Sequence, residues 1–207
     1  MRTLILHTPK GGSGKSTIAR ELAVAAAADG WQVALADLDP QQTTTGWYQR
    51  RKASTPALVP FSPANGTPAK LAEAGVELLI LDTPPGQPPY IPHLLKSATA
   101  VLVPVRPTPD DLLGAAPIAR SLARHSAWAF VLSQVPPRSR HLAGAARQLA
   151  ALGRVAPVQM TFRADFPAAA IEGMAAVEYT GKAAEETAAL LAYVNELLGG
   201  PDAAPES

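Results

Sequence analysis

Short aliphatic runs alternate along the chain with longer alanine-rich stretches whose apolar residues recur at helical spacing. This order predicts a parallel sheet flanked by helices. Strands are expected at Thr3–His7, Gln32–Ala36, Val76–Leu81, Ala100–Val105, Ala127–Leu132 and Val158–Phe162. The longer helical stretches fall at Lys15–Asp29, Thr43–Lys52, Asp110–Arg124, Leu142–Leu152 and Gly181–Leu198, with shorter ones at Pro68–Ala74, Ile91–Ser97 and Pro167–Gly173. Leu78-Leu79-Ile80-Leu81 and Val101-Leu102-Val103 are unbroken apolar runs, as strands covered on both faces require. The expected fold class is α/β, a mostly parallel twisted sheet with helices on both sides. Pro40, Pro84-Pro85, Pro88-Pro89, Pro104, Pro107, Pro109 and Pro136-Pro137 are read as following strands. There they stiffen the loops that form the ligand crevice in such sheets, or simply punctuate them.

Composition narrows this picture. With 207 residues, 47% hydrophobic and 17% charged, the chain is a compact globular protein. One domain is expected over residues 1–198, and the polar tail 199–207 is expected to be disordered. Cysteine is absent, which excludes disulfides, thiolate zinc sites and cysteine nucleophiles. The N-terminus turns polar and glycine-rich by Lys10, unlike a signal peptide, and charges, prolines or glycines interrupt every apolar run well short of the ~20 residues of a membrane span. A cytoplasmic protein is expected.

The chemistry begins directly after the first strand, with Lys10-Gly11-Gly12-Ser13-Gly14-Lys15-Ser16-Thr17 leading into a helical pattern. Glycines let the backbone wrap an oxyanion so that several N–H groups converge, and the helix N-terminus adds its positive dipole end. The spacing is that of a phosphate loop, except that Pro9 stands where the first glycine usually does. Lys15 is expected on the β- and γ-phosphates, and the Ser16 hydroxyl on Mg²⁺. A second acidic segment, Asp37-Leu38-Asp39-Pro40-Gln41, follows the second strand, and period two projects both carboxylates to one side. Such acids could orient a water, bind the metal shell, or cap the helix at Thr43. Asp82 ends the buried run at Leu78–Leu81, as an acid that holds Mg²⁺ through water would, or as a simple strand cap. Lys10 alone could be a solvated surface charge.

The loop resembles the deviant Walker A motif of the ParA/MinD family of P-loop ATPases. That resemblance implies ATP and Mg²⁺ as cofactors and an ATP-dependent sandwich homodimer in which Lys10 crosses to the partner's phosphates. It also implies that Asp39 positions the attacking water, that Asp37 supports the magnesium, and that Thr83-Pro84-Pro85-Gly86 senses the γ-phosphate. Family members often read adenine from the loop after the strand at Ala127–Leu132. Ser133 stands where many relatives carry Asn, so Gln134 or the backbone around Pro136 is the candidate base contact. The cofactor set is thus Gly11, Gly12, Ser13, Gly14, Lys15, Ser16, Thr17, Gln134 and Pro136, with Ser16, Asp37 and Asp82 for the metal.

The net charge is only +1, but it is unevenly spread. Between Asp111 and Asp165 there is no acid, while Arg120, Arg124, Arg138, Arg140, Arg147, Arg154 and Arg163 all lie there; from Asp165 onward come eight acids and a single base, Lys182. Arginines of this kind suit sequence-independent phosphate contact, with Arg138, Arg140 and Arg147 the first choices for non-specific DNA. The competing reading pairs them with the acidic C-terminal helices or leaves them in solvent. By resemblance, a short ParA without an N-terminal helix-turn-helix works with a ParB-like centromere-binding partner in plasmid or chromosome partition. Same-fold relatives position protein cargo instead. A MinD-type role needs a basic amphipathic C-terminal helix, and here the C-terminus is acidic, so no stable membrane anchor is expected.

Overall fold

The computed structural model describes residues 1–62 and 67–199. The strands are β1 (Arg2–Leu6), β2 (Val33–Asp37), β3 (Ala57–Leu58), β4 (Leu78–Asp82), β5 (Ala100–Val105) and β6 (Trp128–Leu132). The helices are α1 (Lys15–Ala28), α2 (Thr43–Arg50), α3 (Thr67–Glu73), α4 (Ile91–Ser97), α5 (Pro109–Ser121), α6 (Leu142–Ala150), α7 (Asp165–Ile171) and α8 (Lys182–Leu197). The strands form one parallel sheet in the order β3-β2-β4-β1-β5-β6. The expected α/β class and most elements are therefore present. Of the expected disordered tail, residues 200–207 lie outside the described residues.

Strand period two splits the core. Leu4, Leu6, Leu35, Ile80 and Val131 join α1, α8 and Trp47 on one face. Ile5, Ala36, Leu81, Val103 and Phe130 join α4, α5 and α6 on the other. On the first face Glu21, buried in α1, accepts the backbone N–H groups of Ala176 (2.7 Å) and Val177 (3.0 Å), fixing a single 3-10 turn at Ala176–Glu178. No periodic pattern in the sequence announces that turn.

Three expectations are corrected. Val158–Phe162 is not a strand: Met160 N–H bonds Leu132 and Phe162 N–H bonds Val135, but only an isolated bridge between Val135 and Thr161 results. The two-residue edge strand β3, paired to Ala34 and Leu35, was missed because two residues carry no periodicity. Pro104 does not follow a strand but lies inside β5, opposite Val131. Pairing of β5 with β1 ends at Leu102, so the missing N–H falls where the strand has one neighbour.

A clamp joins the end of α2 to α7 and the segment after it. Trp47 Nε1 donates to the Met174 carbonyl (2.9 Å), Arg51 pairs with Glu178 (2.8 Å), and Arg50 Nη2 donates to the Ala170 carbonyl (3.1 Å). Gly173 makes this approach possible. Its φ is +72°, and an added Cβ would lie 2.4 Å from the backbone of Arg50 and Arg51. Gly173→Ala should therefore lower the unfolding free energy by about 3 kcal/mol in urea titration. A loss below about 0.5 kcal/mol would mean that the clamp yields freely.

Candidate functional site

Gly14, with φ +89°, turns the chain from the loop into α1, whose first turn has no side-chain cap. An uncapped helix start with open N–H groups is suited to an anion. Lys15, only 6% exposed, folds back and donates to the carbonyls of Thr8 (3.3 Å) and Lys10 (3.2 Å). Burial lowers its pKa, while the charges of Asp82 and Asp39 oppose that. Neighbouring elements hold the loop from outside: Ser133 Oγ donates to the Ser13 carbonyl (2.7 Å), Gln134 Nε2 to the Gly12 carbonyl (2.6 Å), and Gly86 N–H to the Pro9 carbonyl (2.7 Å). The Thr83–Gly86 segment thus touches the loop directly. Ser13 Oγ is buried with no hydrogen-bond partner among the described residues.

Register brings the acids together. Asp82 lies opposite Asp37 on β2 and Leu6 on β1, at the carboxyl edge of the sheet. Asp82 is fully buried; Oδ2 accepts from Thr44 Oγ1 (2.7 Å), while Oδ1 has no hydrogen-bond partner among the described residues. Burial pushes its carboxyl up to about 6, against the hydroxyls of Thr44 and Ser16, which draw it down. Asp37 accepts from Thr45 N–H (2.8 Å) and hydroxyl (3.1 Å) through one oxygen and from Asp39 N–H (3.0 Å) through the other. It braces the start of α2, so the capping reading applies to Asp37 in this state. Asp39 accepts from Gln41 N–H (2.9 Å) and is half-buried.

His7, which the sequence did not single out, packs beneath this cluster. Thr83 Oγ1 donates its one hydrogen to the Leu6 carbonyl (2.8 Å), so His7 Nδ1, 3.1 Å from the same oxygen, must carry the ring proton. Burial, and then the Lys15 charge, lower its pKa to about 4.

Beside Gly14 and Thr17 opens a cavity of about 620 Å³, lined also by Ser133, Gln134, Thr161, Phe162 and Phe166. Of the two base-contact candidates, Gln134 lines it, with its amide engaged on Gly12; Pro136 is not among the lining residues. Phe162 was missed as a lining residue because its apolar run reads as a buried strand. It is 66% exposed and lines the cavity.

The arginines separate into two groups. Arg163 pairs with Glu186 of α8 (2.6 Å), as the structural alternative foresaw. Arg138 and Arg140 on the loop before α6, and Arg147 within it, are exposed and have no ion-pair partner among the described residues. Lys10 pairs with Asp111 of its own subunit (3.4 Å).

A parallel sheet with a glycine-rich phosphate loop feeding α1 and an acid at the end of a neighbouring strand defines a P-loop nucleotide-binding protein. The profile of the CobQ/CobB/MinD/ParA nucleotide binding domain matches residues 4–195, and the chain belongs to that family, whose ParA/MinD members are nucleotide-binding ATPases. It is 29% identical over 198 residues to a maintenance of carboxysome distribution protein A of Gloeobacter kilaueensis, covering 91% of this chain and 89% of that protein. It is 31% identical over 137 residues to the chromosome-partitioning ATPase Soj of Thermus thermophilus, covering 51% of this chain and just 55% of that protein's length. The fold matches that of a McdA variant from Cyanothece in complex with ATP, with a TM-score of 0.72, 18% identity, and coverage of 99% and 98% of the two chains. Among the described residues no helix is long and apolar enough to cross a membrane.

Neutral His7 ties stability to pH. Its depressed pKa means that stability is complete above the unfolded value of 6.5 and is lost as pH falls through about 4. Lowering the pH from about 7 to about 3.5 should cost the wild type roughly 3 kcal/mol more unfolding free energy than it costs His7→Asn. Parallel pH curves for the two proteins would show that His7 does not titrate abnormally.

Proposed function

We propose that the protein is a ParA-type ATPase that forms an ATP-dependent homodimer, binds DNA without sequence preference, and moves cargo through cycles of hydrolysis and release. Partition of a plasmid or chromosome with a ParB-like, centromere-binding partner is the first reading. The observation that carries the DNA-borne cycle is the arginine edge: Arg138, Arg140 and Arg147 stay exposed, with no ion-pair partner among the described residues, although six acids from Asp165 to Glu196 lie among those residues. Phosphate contact explains such arginines without base recognition.

In this reading Lys15, freed from the Thr8 and Lys10 carbonyls, reaches the β- and γ-phosphates, and the backbone of Gly11 to Thr17 cradles them. Mg²⁺ would be held by Ser16 and, through water, by Asp82, with Asp37 as a supporting acid; the orphaned Oδ1 of Asp82 is an acceptor suited to that shell. Among the described residues no group of three His, Cys, Asp or Glu side chains could hold a metal without the nucleotide. The cation neutralises charge on the transferring phosphate when bound. Asp39 orients the attacking water, and Lys10 crosses to the partner's phosphates. The base enters the cavity, against Phe162.

A second reading keeps the switch and replaces the DNA cargo by a protein assembly. The carboxysome-distribution relative, matched over most of both chains, supports it.

Lys15→Ala should abolish nucleotide binding, and an unaltered ATP affinity would remove the loop from this role. The central experiment is binding of Asp39→Ala, in which turnover should stall, to non-specific duplex DNA with ATP, with ADP and without nucleotide across a salt series. Binding should require ATP and weaken steeply with salt, and Arg138→Glu with Arg140→Glu should abolish it while ATP affinity persists. An ATP-dependent dimer that ignores DNA would overturn the DNA-borne cycle.

A further inference from the structure

We propose that Asp111 is a positioning residue that holds Lys10 on its own subunit until a second subunit arrives, and that Arg106 is the stand-in cation that lets it leave. The inference rests on the cross-subunit role proposed above for Lys10. Three observations support it. Lys10 Nζ lies 3.4 Å from Asp111 Oδ1, and its stem runs over Gly114, where an added Cβ would sit 3.6 Å from Lys10 Cε. The carboxylate is buried, 4% exposed, whereas the Lys10 side chain is 41% exposed and can swing into solvent. Arg106 holds both oxygens of the same carboxylate, through Nε to Oδ2 and Nη2 to Oδ1.

Two cations on one buried acid differ from a simple ion pair. Removing the sole partner of a buried carboxylate leaves an uncompensated charge, which makes such a pair nearly permanent. Here Arg106 can remain bidentate when Lys10 leaves, and Asp111 sits in the first turn of α5, where the positive end of the helix dipole favours an anion. Burial would raise the Asp111 carboxyl, but the bonds from Arg106, Thr108 and Lys10 hold it below the usual range, so it stays an anion throughout. Arg106 also borders the phosphate loop: a Cβ on Gly12 would lie 3.9 Å from its Nη1. The latch is thus weak enough to open and anchored where the second subunit's phosphates would compete for Lys10. Its purpose is to keep the cross-subunit lysine from dimerising the protein before nucleotide is present in both subunits.

The test is the dimer dissociation constant by analytical ultracentrifugation with a non-hydrolysable ATP analogue, with thermal melting to report the fold. Asp111→Asn should tighten the dimer. A half-exposed pair changes an equilibrium about fivefold, and two latches open per dimer, so the expected gain is about twenty-five-fold. Arg106→Gln leaves Lys10 as the carboxylate's sole partner and should weaken the dimer, and Arg106→Lys should restore it toward wild type. A merely structural cluster would weaken the dimer in both directions. Tightening by Asp111→Asn with weakening by Arg106→Gln supports the latch; an unchanged or weaker dimer in a normally melting Asp111→Asn overturns it. Should Asp111→Asn fail to fold, Asp111→Ser takes its place with the same expected tightening, and an unchanged or weaker dimer in a normally melting Asp111→Ser overturns the latch. Lys10→Ala separates the two levels of the argument. A normal dimer in Lys10→Ala would sink the cross-subunit reading itself, whereas a monomeric Lys10→Ala beside an unresponsive Asp111→Asn sinks only the latch.

Discussion

A buried ammonium group governs the carboxyl edge of this sheet. Lys15 has to be satisfied where water cannot reach it, and it is satisfied by the Thr8 and Lys10 carbonyls, so the loop closes on its own lysine. That closure places Lys10 at the mouth of the loop beside α5. Burial keeps His7 neutral, with the Lys15 charge as the second cause, and the same charge attracts Asp82 and Asp39. Replacing the two carbonyls by phosphate oxygens would keep the ammonium paired while freeing the loop backbone, which is why an occupied and an empty loop can both be folded.

From this edge α2 carries the arrangement outward. Thr44 bonds Asp82 and Thr45 bonds Asp37 in its first turn, while Trp47 and Arg51 reach Met174 and Glu178 at its other end. Both termini of one short helix are fixed, one to the acids and one to the segment after α7. A helix of eight residues is short enough that a shift of the acids can be passed along it to the segment after α7. Phe162 and Phe166, on the cavity wall, lie just before and within α7. In the proposed function, where the phosphates lie near Asp82 and the base near Phe162, connected elements would read the two ends of the nucleotide.

What the sequence revealed and what it concealed have physical causes. The loop, Asp82 and the five longer strands are legible because each is contiguous: a glycine-rich turn, an apolar run ended by an acid, a period-two core. Asp37 and Asp39 were placed correctly at a strand end, but their present partners could not be foreseen, because Thr45 reaches Asp37 only after α2 folds back. The strand expected at Val158–Phe162 failed because apolar content alone does not supply a neighbour; β6 offers that segment scattered bonds and no continuous ladder. Phe162 consequently went unnoticed as an exposed wall. Gln134 was legible as a loop residue after β6, but that its amide is held by the Gly12 carbonyl, a contact between segments 122 positions apart, was not.

The atoms left without partners bear on the same question. Among the described residues the buried orphans at this edge are Ser13 Oγ on the phosphate loop and Asp82 Oδ1 at the end of β4. Burying a polar atom unpaired costs on the order of 1–3 kcal/mol, and a fold without another use for these atoms would place apolar groups there. A ligand that supplies a cation and oxyanions recovers that cost on binding, so part of the free energy of nucleotide binding is already invested in the empty fold. The tilt toward the occupied state then needs no large rearrangement of the sheet. Lys15, Lys10 and the Thr83–Gly86 segment all touch the loop or its carbonyls, so they are the groups that an arriving phosphate would meet first.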